Sequence, residues 1–343
     1  RATAEAALST LNVREDLCTL FGGGSDPSYA IFTSGVTMSL NMIMKGVLRA
    51  GDHLIISGME HNAVARPAMQ LEAAGVSVSI APCDETGVLR LTEFEKLFTP
   101  QTRLVVMQYA SNVSGTIQPI AEIGAICRRH GALFAVDSAQ AAGHFLFNMQ
   151  ALQVDAMCFT GHKGLLGPSG IGGFVMNEAM NKALTPLIAG GTGSMSASLE
   201  MPPTLPDRYE AGTPNLPGIM GLGVALRYLM EVGPDALHKR EMALTDRFLD
   251  GLHGNSHIRV PGPVDAKGRV GVISVDFLRQ DNAEVAFQLE EQYGILTRCG
   301  LHCAPLAHKT LGTYPEGTVR FSVGYTTTED EVDTAIQAIH SLS

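Results

Sequence analysis

Between residues 29 and 176, short runs rich in Val, Ile and Phe alternate with longer segments whose apolar residues recur at helical spacing. YAIFTSG is followed by the helical VTMSLNMIMKGVLRAG, and RLVVMQYAS is followed by the helical IAEIGAICRRHG. The strand-like runs are apolar throughout, which is typical of parallel strands covered by helices on both faces. The sequence therefore predicts an α/β domain built on a mostly parallel sheet.

The pattern changes after about residue 234. A long polar helix, PDALHKREMALTDRFLDGLHG, precedes the strand VGVISVDF, the helix NAEVAFQLEEQYG and short strands in ILTRCG and TVRFSVGY. Thr328 and Glu331 have the spacing of a capping box at the start of the last helix. We predict a large α/β domain over 1–233 and a smaller α+β domain over 234–343, with LTRCGLHCAPLAHK as a loop.

Charge and hydropathy exclude two classes of partner. The 343 residues carry a formal net charge of −10 and no run of Lys and Arg, which argues against nucleic acid or an anionic membrane surface. The longest apolar stretches are interrupted by polar residues such as Asp137 and Asp276, so we predict no membrane span. The chain begins without Met or a signal-peptide pattern, which we interpret as a truncated chain.

The six cysteines include no C-x-x-C pair, and four lie in apolar contexts typical of buried thiols. This pattern favours a reducing cytoplasm over a disulfide framework. Cys299 and Cys303 lie near His302 and His308, but the spacing matches no standard zinc pattern. We therefore predict no metal site.

Polar and small residues follow five of the predicted strands. They are Ser34–Thr37, Glu60–Asn62, Ser111–Asn112, Asp137–Gln140 and Thr160–Lys163. Each group alone has an ordinary interpretation as a turn or a helix cap. Because functional groups in α/β sheets gather beyond the carboxyl ends of the strands, we expect these five groups to form one site.

The residue types at these strand ends suit pyridoxal phosphate (PLP). A small-residue turn into a helix, around Gly35, can bind an anion such as phosphate. Lys163, beside a glycine-rich loop, can hold the cofactor aldehyde as a Schiff base, and the Asp137 carboxylate can keep a pyridine nitrogen protonated. A nicotinamide site is not supported, because GPSGIGGF is an incomplete G-x-G-x-x-G that leads into a strand, and there is no P-loop.

Eight segments, in order from about residue 30 to the C-terminus, resemble one group of PLP enzymes. They are SGVTMSLNMI, MEHNAV, SNVSGTIQPI, AVDSAQAAGH, FTGHKGLLGPSGIGG, RYEAGTPN, RCGLHCAP and VRFSVGY. Together they are similar to the cysteine desulfurase and selenocysteine lyase branch of the class V aminotransferase-like enzymes, which have the fold type I architecture. The R-x-G-x-H-C-A-P segment is the part most specific to that branch.

The resemblance implies a role for each matching position. Lys163 is the Schiff-base lysine, Asp137 contacts the pyridinium nitrogen and His61 stacks on the ring. Gln140 and Asn112 bind the ring hydroxyl side or the substrate. The phosphate is held by Val36 (through its backbone), Thr37, Thr160 and His162, and by Gly212 and Thr213 of a neighbouring subunit in a homodimer. Arg320 binds the substrate carboxylate, Arg298 lies nearby and lines the site or a second face of the substrate, and Cys303 accepts sulfur as a persulfide.

The resemblance also implies a reaction. Lys163 or a neighbouring base moves the α-proton of L-cysteine, the Cys303 thiolate attacks the substrate sulfur, and alanine is released. Arg298 and His302 favour the thiolate if they lower its pKa. Sulfur then passes to an acceptor protein, as in iron–sulfur cluster assembly. Val36 and Leu301 depart from the family pattern, and the family's N-terminal segment is missing, which leaves substrate selectivity open.

Other functions remain open on the sequence alone. Selenocysteine lyase differs mainly in accepting L-selenocysteine, and an aminotransferase on the same scaffold would not need Cys303. A β-lyase is a further alternative on this scaffold. A non-catalytic sulfur-trafficking partner would have no need to keep Lys163, Asp137 and Arg320 together.

Overall fold

A computed structural model describes the backbone of residues 2–343 and the side chains of residues 5–343. Its larger sheet has seven strands in the order β1-β7-β6-β5-β4-β2-β3. The strands are β1 (Ala30–Thr33), β2 (His53–Ser57), β3 (Ser77–Ala81), β4 (Thr102–Gln108), β5 (Leu133–Asp137), β6 (Ala156–Thr160) and β7 (Gly172–Met176). Strands β2 to β6 pair in parallel, and β7 is antiparallel to both β1 and β6. The predicted mostly parallel sheet is confirmed.

Helices cover both faces of this sheet. They are α1 (Ala2–Phe21), α2 (Val36–Val47), α3 (Asn62–Ala73), α4 (Leu91–Glu95), α5 (Ile120–His130), α6 (Glu178–Ala183) and α7 (Leu216–Val232). Within β5, Phe134 and Val136 pack in a core with α1, α5 and α7, whereas Ala135 packs in a second core with α2 and α3. Because alternate side chains point to opposite faces, burial on both sides requires apolar residues at every position.

A second unit follows Gly233. It comprises α8 (Pro234–Leu252), β8 (Ile258–Arg259), β9 (Val272–Phe277), α9 (Asn282–Tyr293), β10 (Arg298–Gly300), α10 (Pro305–Thr310), β11 (Thr318–Ser322) and α11 (Glu329–Leu342). Its antiparallel sheet has the order β10-β11-β9-β8, and its own core draws on residues from Leu244 to Leu342. The capping box of Thr328 and Glu331 is present. The exact boundary at residue 233 stays a prediction.

The short strand predicted in ILTRCG is confirmed, and the loop predicted for LTRCGLHCAPLAHK is confined to residues 296–297 and 301–304. Arg298–Gly300 forms β10 by pairing with β11, and Pro305 begins α10 at a helical first turn, where its missing N–H costs nothing. Among the helices of residues 2–343, none has both the length and the apolarity that crossing a bilayer requires.

Candidate active site

A cavity of about 370 Å³ opens at the carboxyl edge of the large sheet. Ends of β1, β2, β4, β5 and β6 contribute to its lining, and the second unit closes it. The predicted residues that line it are Val36, Thr37, His61, Asn112, Gln140, Thr160, His162, Lys163, Arg298, Cys303 and Arg320. Asp137 lies at the end of β5, only 5% exposed and outside this lining, and Gly212 and Thr213 line a different cavity.

The N-terminus of α2 forms one end of this cavity. Gly35 caps the helix with φ 153°, a conformation that favours glycine, and the first N–H groups of any helix have no partner within it. The Thr160 hydroxyl lies 3.1 Å from Nδ1 of His162 beside the same turn. Backbone amides, a hydroxyl and an imidazole at a helix start are suited to a phosphate.

Burial shifts the protonation of Lys163 and Asp137 in opposite directions. Desolvation lowers the pKa of Lys163, which Asp137 partly opposes, and nearby Arg320 and Arg298 lower it further. Burial raises the pKa of Asp137, while a hydrogen bond from the Ala139 N–H at 2.9 Å and the charge of Lys163 lower it. The lowered lysine pKa increases the fraction of neutral amine, which is the nucleophilic form.

His61 caps α3, and its Nδ1 accepts a hydrogen bond from the Ala63 N–H at 3.0 Å. Burial, followed by the positive charges of Lys163 and Arg298, lowers the pKa of His61 to about 4. The imidazole is therefore neutral near pH 7, with its proton on Nε2. In this tautomer Nε2 is a donor, so His61 orients or stacks on a ligand more readily than it acts as a base.

Arg298 and Arg320 stand directly opposite each other on β10 and β11. Arg320 Nη1 donates to the Asn112 carbonyl at 3.1 Å, whereas Arg320 Nε and Asn112 Oδ1 are buried without a hydrogen-bond partner. Like charges opposite each other destabilise a sheet, and buried polar atoms are normally paired. Two cations and an unpaired donor at the cavity wall indicate a site for an anionic ligand such as a carboxylate.

Cys303 lies in a tight turn with its thiol exposed. His302 and Cys303 have φ values of 48° and 59°, a left-handed conformation that costs energy for residues with a Cβ. Two hydrogen bonds of 2.7 Å hold the turn on the large domain, from Asn112 Nδ2 to the His302 carbonyl and from the Asn62 N–H to the Cys303 carbonyl. Cys299, also exposed, lies on β10 outside the cavity lining.

The expectation that His302 helps to stabilise the Cys303 thiolate is wrong. The His302 ring is buried and its Nε2 lies 3.1 Å from the Thr318 hydroxyl. Burial and the charge of Arg320 lower the pKa of His302 to about 3, so the ring carries no positive charge near neutral pH. Arg298 is the nearby cation, with Nη2 4.0 Å from Cys303 Sγ.

Two residues contribute to this site without a signal in the sequence that predicts their role. Met38, in the first turn of α2, lines the cavity. The helical spacing of the apolar residues in this segment does not indicate which of them faces the cavity. Glu60, in a strand-end group but given no role, is fully buried and accepts hydrogen bonds from the Ser57 hydroxyl at 2.5 Å and the Gln108 N–H at 3.0 Å. Burial raises the pKa of Glu60 to about 8. Glu60 thereby ties the end of β2 to β4 and fixes the position of His61.

Comparison with known proteins assigns the chain to a family. The aminotransferase class-V family model matches residues 1–334, so the chain belongs to this family of PLP-dependent enzymes. A cysteine desulfurase of Escherichia coli O9:H4 (strain HS) is 36% identical over 99% of this chain and 84% of its own length. A probable cysteine desulfurase of Methanothermobacter thermautotrophicus is 33% identical over 93% of this chain and 80% of its own length. The apo structure of a cysteine desulfurase from Thermococcus onnurineus NA1 superposes with a TM-score of 0.92 at 31% identity, covering 100% of this chain and 85% of that one.

The residues of the cavity fit PLP. The helix start at Gly35 offers donors for a phosphate, and the lowered pKa of Lys163 favours the nucleophilic amine. The buried Asn112 Oδ1 lacks a donor, as expected if a ligand hydroxyl supplies one. The Asp137 carboxylate lies at the end of the central strand β5, where a ring nitrogen would give it a positive partner.

We predict that His61 and His302 stay neutral well below the pKa of an ordinary histidine. Nitrogen-15 NMR of the imidazoles should show both rings unprotonated at pH 5, with the His61 signal assigned by its loss in His61→Gln. Unfolding restores an ordinary pKa of about 6.5, so the stability that the neutral rings contribute should fall as the pH drops from about 6.5 toward 4. A His61 ring that protonates near pH 6.5 in the folded protein would contradict this assignment.

Proposed function

We propose that this chain is an L-cysteine desulfurase that uses PLP. The observation that carries the proposal is that an exposed thiol, Cys303, lines the same cavity as Lys163 and the arginine pair. The identity to proteins named cysteine desulfurase, over most of both chains, supports it.

In this proposal the cofactor, when bound, withdraws electrons from the substrate and so makes its α-proton acidic. Lys163 holds the cofactor and afterwards moves the proton at the substrate α-carbon, because its lowered pKa brings the amine closer to neutrality. Asp137, Gln140 and Asn112 hold the ring edge, and His61 covers the ring face. Val36, Thr37, Thr160 and His162 hold the phosphate.

The arginine pair orients the substrate. Arg320, half-buried and already fixed on the Asn112 carbonyl, is the residue we assign to the substrate carboxylate, because a guanidinium pairs with it bidentately. Arg298 is exposed; it lies beside Arg320, to which we assign the substrate carboxylate, and it also contacts Cys303. Binding of a carboxylate would relieve the repulsion between the two cations.

The Cys303 thiolate attacks the substrate sulfur. A sulfur–sulfur bond forms, the bond between the substrate sulfur and its β-carbon breaks, and the β-carbon takes up a proton as L-alanine leaves. The reaction is redox-neutral overall, because the sulfur is oxidised as the carbon is reduced. Arg298 Nη2 lies 4.0 Å from Sγ, so a positive charge faces the sulfur at which this step takes place.

The turn that carries Cys303 favours desulfuration over the other reactions of this scaffold. An aminotransferase or β-lyase has no use for a thiol in a left-handed turn that two hydrogen bonds hold at the cavity. A non-catalytic trafficking partner would not need the buried Lys163 and Asp137. L-selenocysteine remains the second candidate substrate, since it presents the same groups to the arginine pair.

We also infer a homodimer with shared sites. Gly212 and Thr213 are exposed on this chain and line a cavity that shares Ser34 and Met38 with the site. Glu210, which accepts hydrogen bonds from the Phe32 N–H and from Arg14, anchors the segment just before them. This arrangement supports presentation of Thr213 to the phosphate of a neighbouring subunit.

Further aspects of the proposed function concern sulfur transfer and its setting. A persulfide on the exposed Cys303 is accessible to a sulfur-acceptor protein, with iron–sulfur cluster assembly as the expected use. The six free cysteines are in accord with a reducing cytoplasm.

We predict that sulfur accumulates on Cys303. Protein incubated with L-cysteine, alkylated and mapped by mass spectrometry should carry the extra sulfur at this residue. Cys303→Ser should lower sulfide release by about 100-fold or more, because a hydroxyl is a poor nucleophile toward sulfur. Cys299→Ser is the matched control and should retain the parent rate. Persulfide on Cys299, or normal desulfuration by Cys303→Ser, would refute the assignment.

A complementation experiment tests the shared site. Lys163→Ala and Thr213→Arg chains, each inactive alone, are co-expressed with different tags. If Thr213 serves the partner's site, each mixed dimer has one intact site, and a 1:1 mixture recovers about one quarter of the parent activity. Purified mixed dimers without activity, or an active monomer by sedimentation, would exclude the shared site.

A further inference from the structure

Two imidazoles and one carboxylate converge where α8 meets the large domain. His238 and Glu241 lie one turn apart on α8, and His144 comes from the segment that follows the Asp137 strand end. One ligating atom from each of the three lies within 4.8 Å of the others. His144 and Glu241 border a cavity of about 170 Å³ whose wall also includes Lys163, Gly164 and Tyr325.

Two buried polar atoms of this cluster, one on Glu241 and one on His238, lack hydrogen-bond partners. Glu241 is only 4% exposed, and its Oε2 has no hydrogen-bond donor although His144 Nδ1 is 2.7 Å away, because the approach does not have hydrogen-bond geometry. His238 Nδ1 is buried without a partner as well. Buried polar atoms without partners are rare, and an unoccupied ion position is one of their ordinary explanations.

The donor set matches a first-row divalent cation. Two histidine nitrogens and a carboxylate oxygen form a known three-ligand set for Zn²⁺, with bonds of about 2.0–2.2 Å and ligand atoms about 3.3 Å apart. To bind such an ion, the 2.7 Å distance between His144 Nδ1 and Glu241 Oε2 would have to lengthen, and any separation near the 4.8 Å limit would have to shorten. The Phe145 ring, 4.5 Å from the His238 ring between centroids, limits how far that imidazole turns.

The geometry points to a structural site for a divalent transition cation such as Zn²⁺, formed by His144, His238 and Glu241. The cavity leaves room for water in a fourth position. An ion here would join α8, the first element of the second unit, to the segment beside the Lys163 loop. The sequence-based prediction of no metal site concerns Cys299, Cys303 and their neighbouring histidines, and none of these residues belongs to this cluster.

The inference does not depend on the proposed function. Full-length protein is tested with its PLP and with Cys299→Ser and Cys303→Ser substitutions, which remove the exposed thiols as competing ligands. After treatment with a chelator, Zn²⁺ and Co²⁺ are titrated separately. We expect one ion per chain, visible ligand-field bands of four-coordinate Co²⁺, and a thermal midpoint that rises with Zn²⁺.

Variants in the same background decide whether these three residues are the ligands. His238→Ala and Glu241→Gln should each weaken Zn²⁺ binding at least about 100-fold. His253→Ala, which removes an exposed histidine at the end of the same helix, should bind like its parent. Should Glu241→Gln fail to fold, the half-buried His238 still provides the test. Absence of binding, or binding that His238→Ala leaves unchanged, would mean that the cluster is an imidazole–carboxylate contact only.

Discussion

Two hydrogen bonds hold the turn that carries Cys303 at the edge of the large sheet and so position the cysteine in the site. Asn112 Nδ2 donates to the His302 carbonyl and the Asn62 N–H donates to the Cys303 carbonyl, each at 2.7 Å. Asn62 follows the carboxyl end of β2 and Asn112 follows that of β4, so the turn that carries Cys303 contacts the edge of the large sheet directly. Because the two residues of the turn have positive φ values, these bonds also stabilise a backbone that would otherwise relax.

The same contact between the cysteine turn and the large sheet brings two arginines to the cavity. Arg298 and Arg320 reach it through the antiparallel pairing of β10 and β11, opposite the lysine that follows β6. Their charge, together with burial, lowers the pKa of both Lys163 and His61. A single arrangement thus attracts a carboxylate, keeps His61 neutral and brings the lysine closer to its reactive form.

The sequence predicted the parts of the fold that local patterns encode. Continuous apolar strands revealed the parallel sheet, and polar residues after those strands identified Asn112, Asp137 and Lys163 as neighbours. Contacts between distant segments have no local signal. The neutral state of His302 depends on burial against Thr318, and the His144–Glu241 contact joins the segment after β5 to α8. Helical spacing likewise did not predict that Met38 lines the cavity.

We propose that the strand-end residues form a PLP site centred on Lys163. The most direct test is to purify the protein with its cofactor, reduce it with borohydride, digest it and locate the pyridoxyl group by mass spectrometry. Reduction makes a lysine–pyridoxal linkage permanent. We predict the label on Lys163 in full, and none in Lys163→Ala. A label on another lysine, such as Lys45 or Lys182, or protein that binds no PLP, would contradict the account.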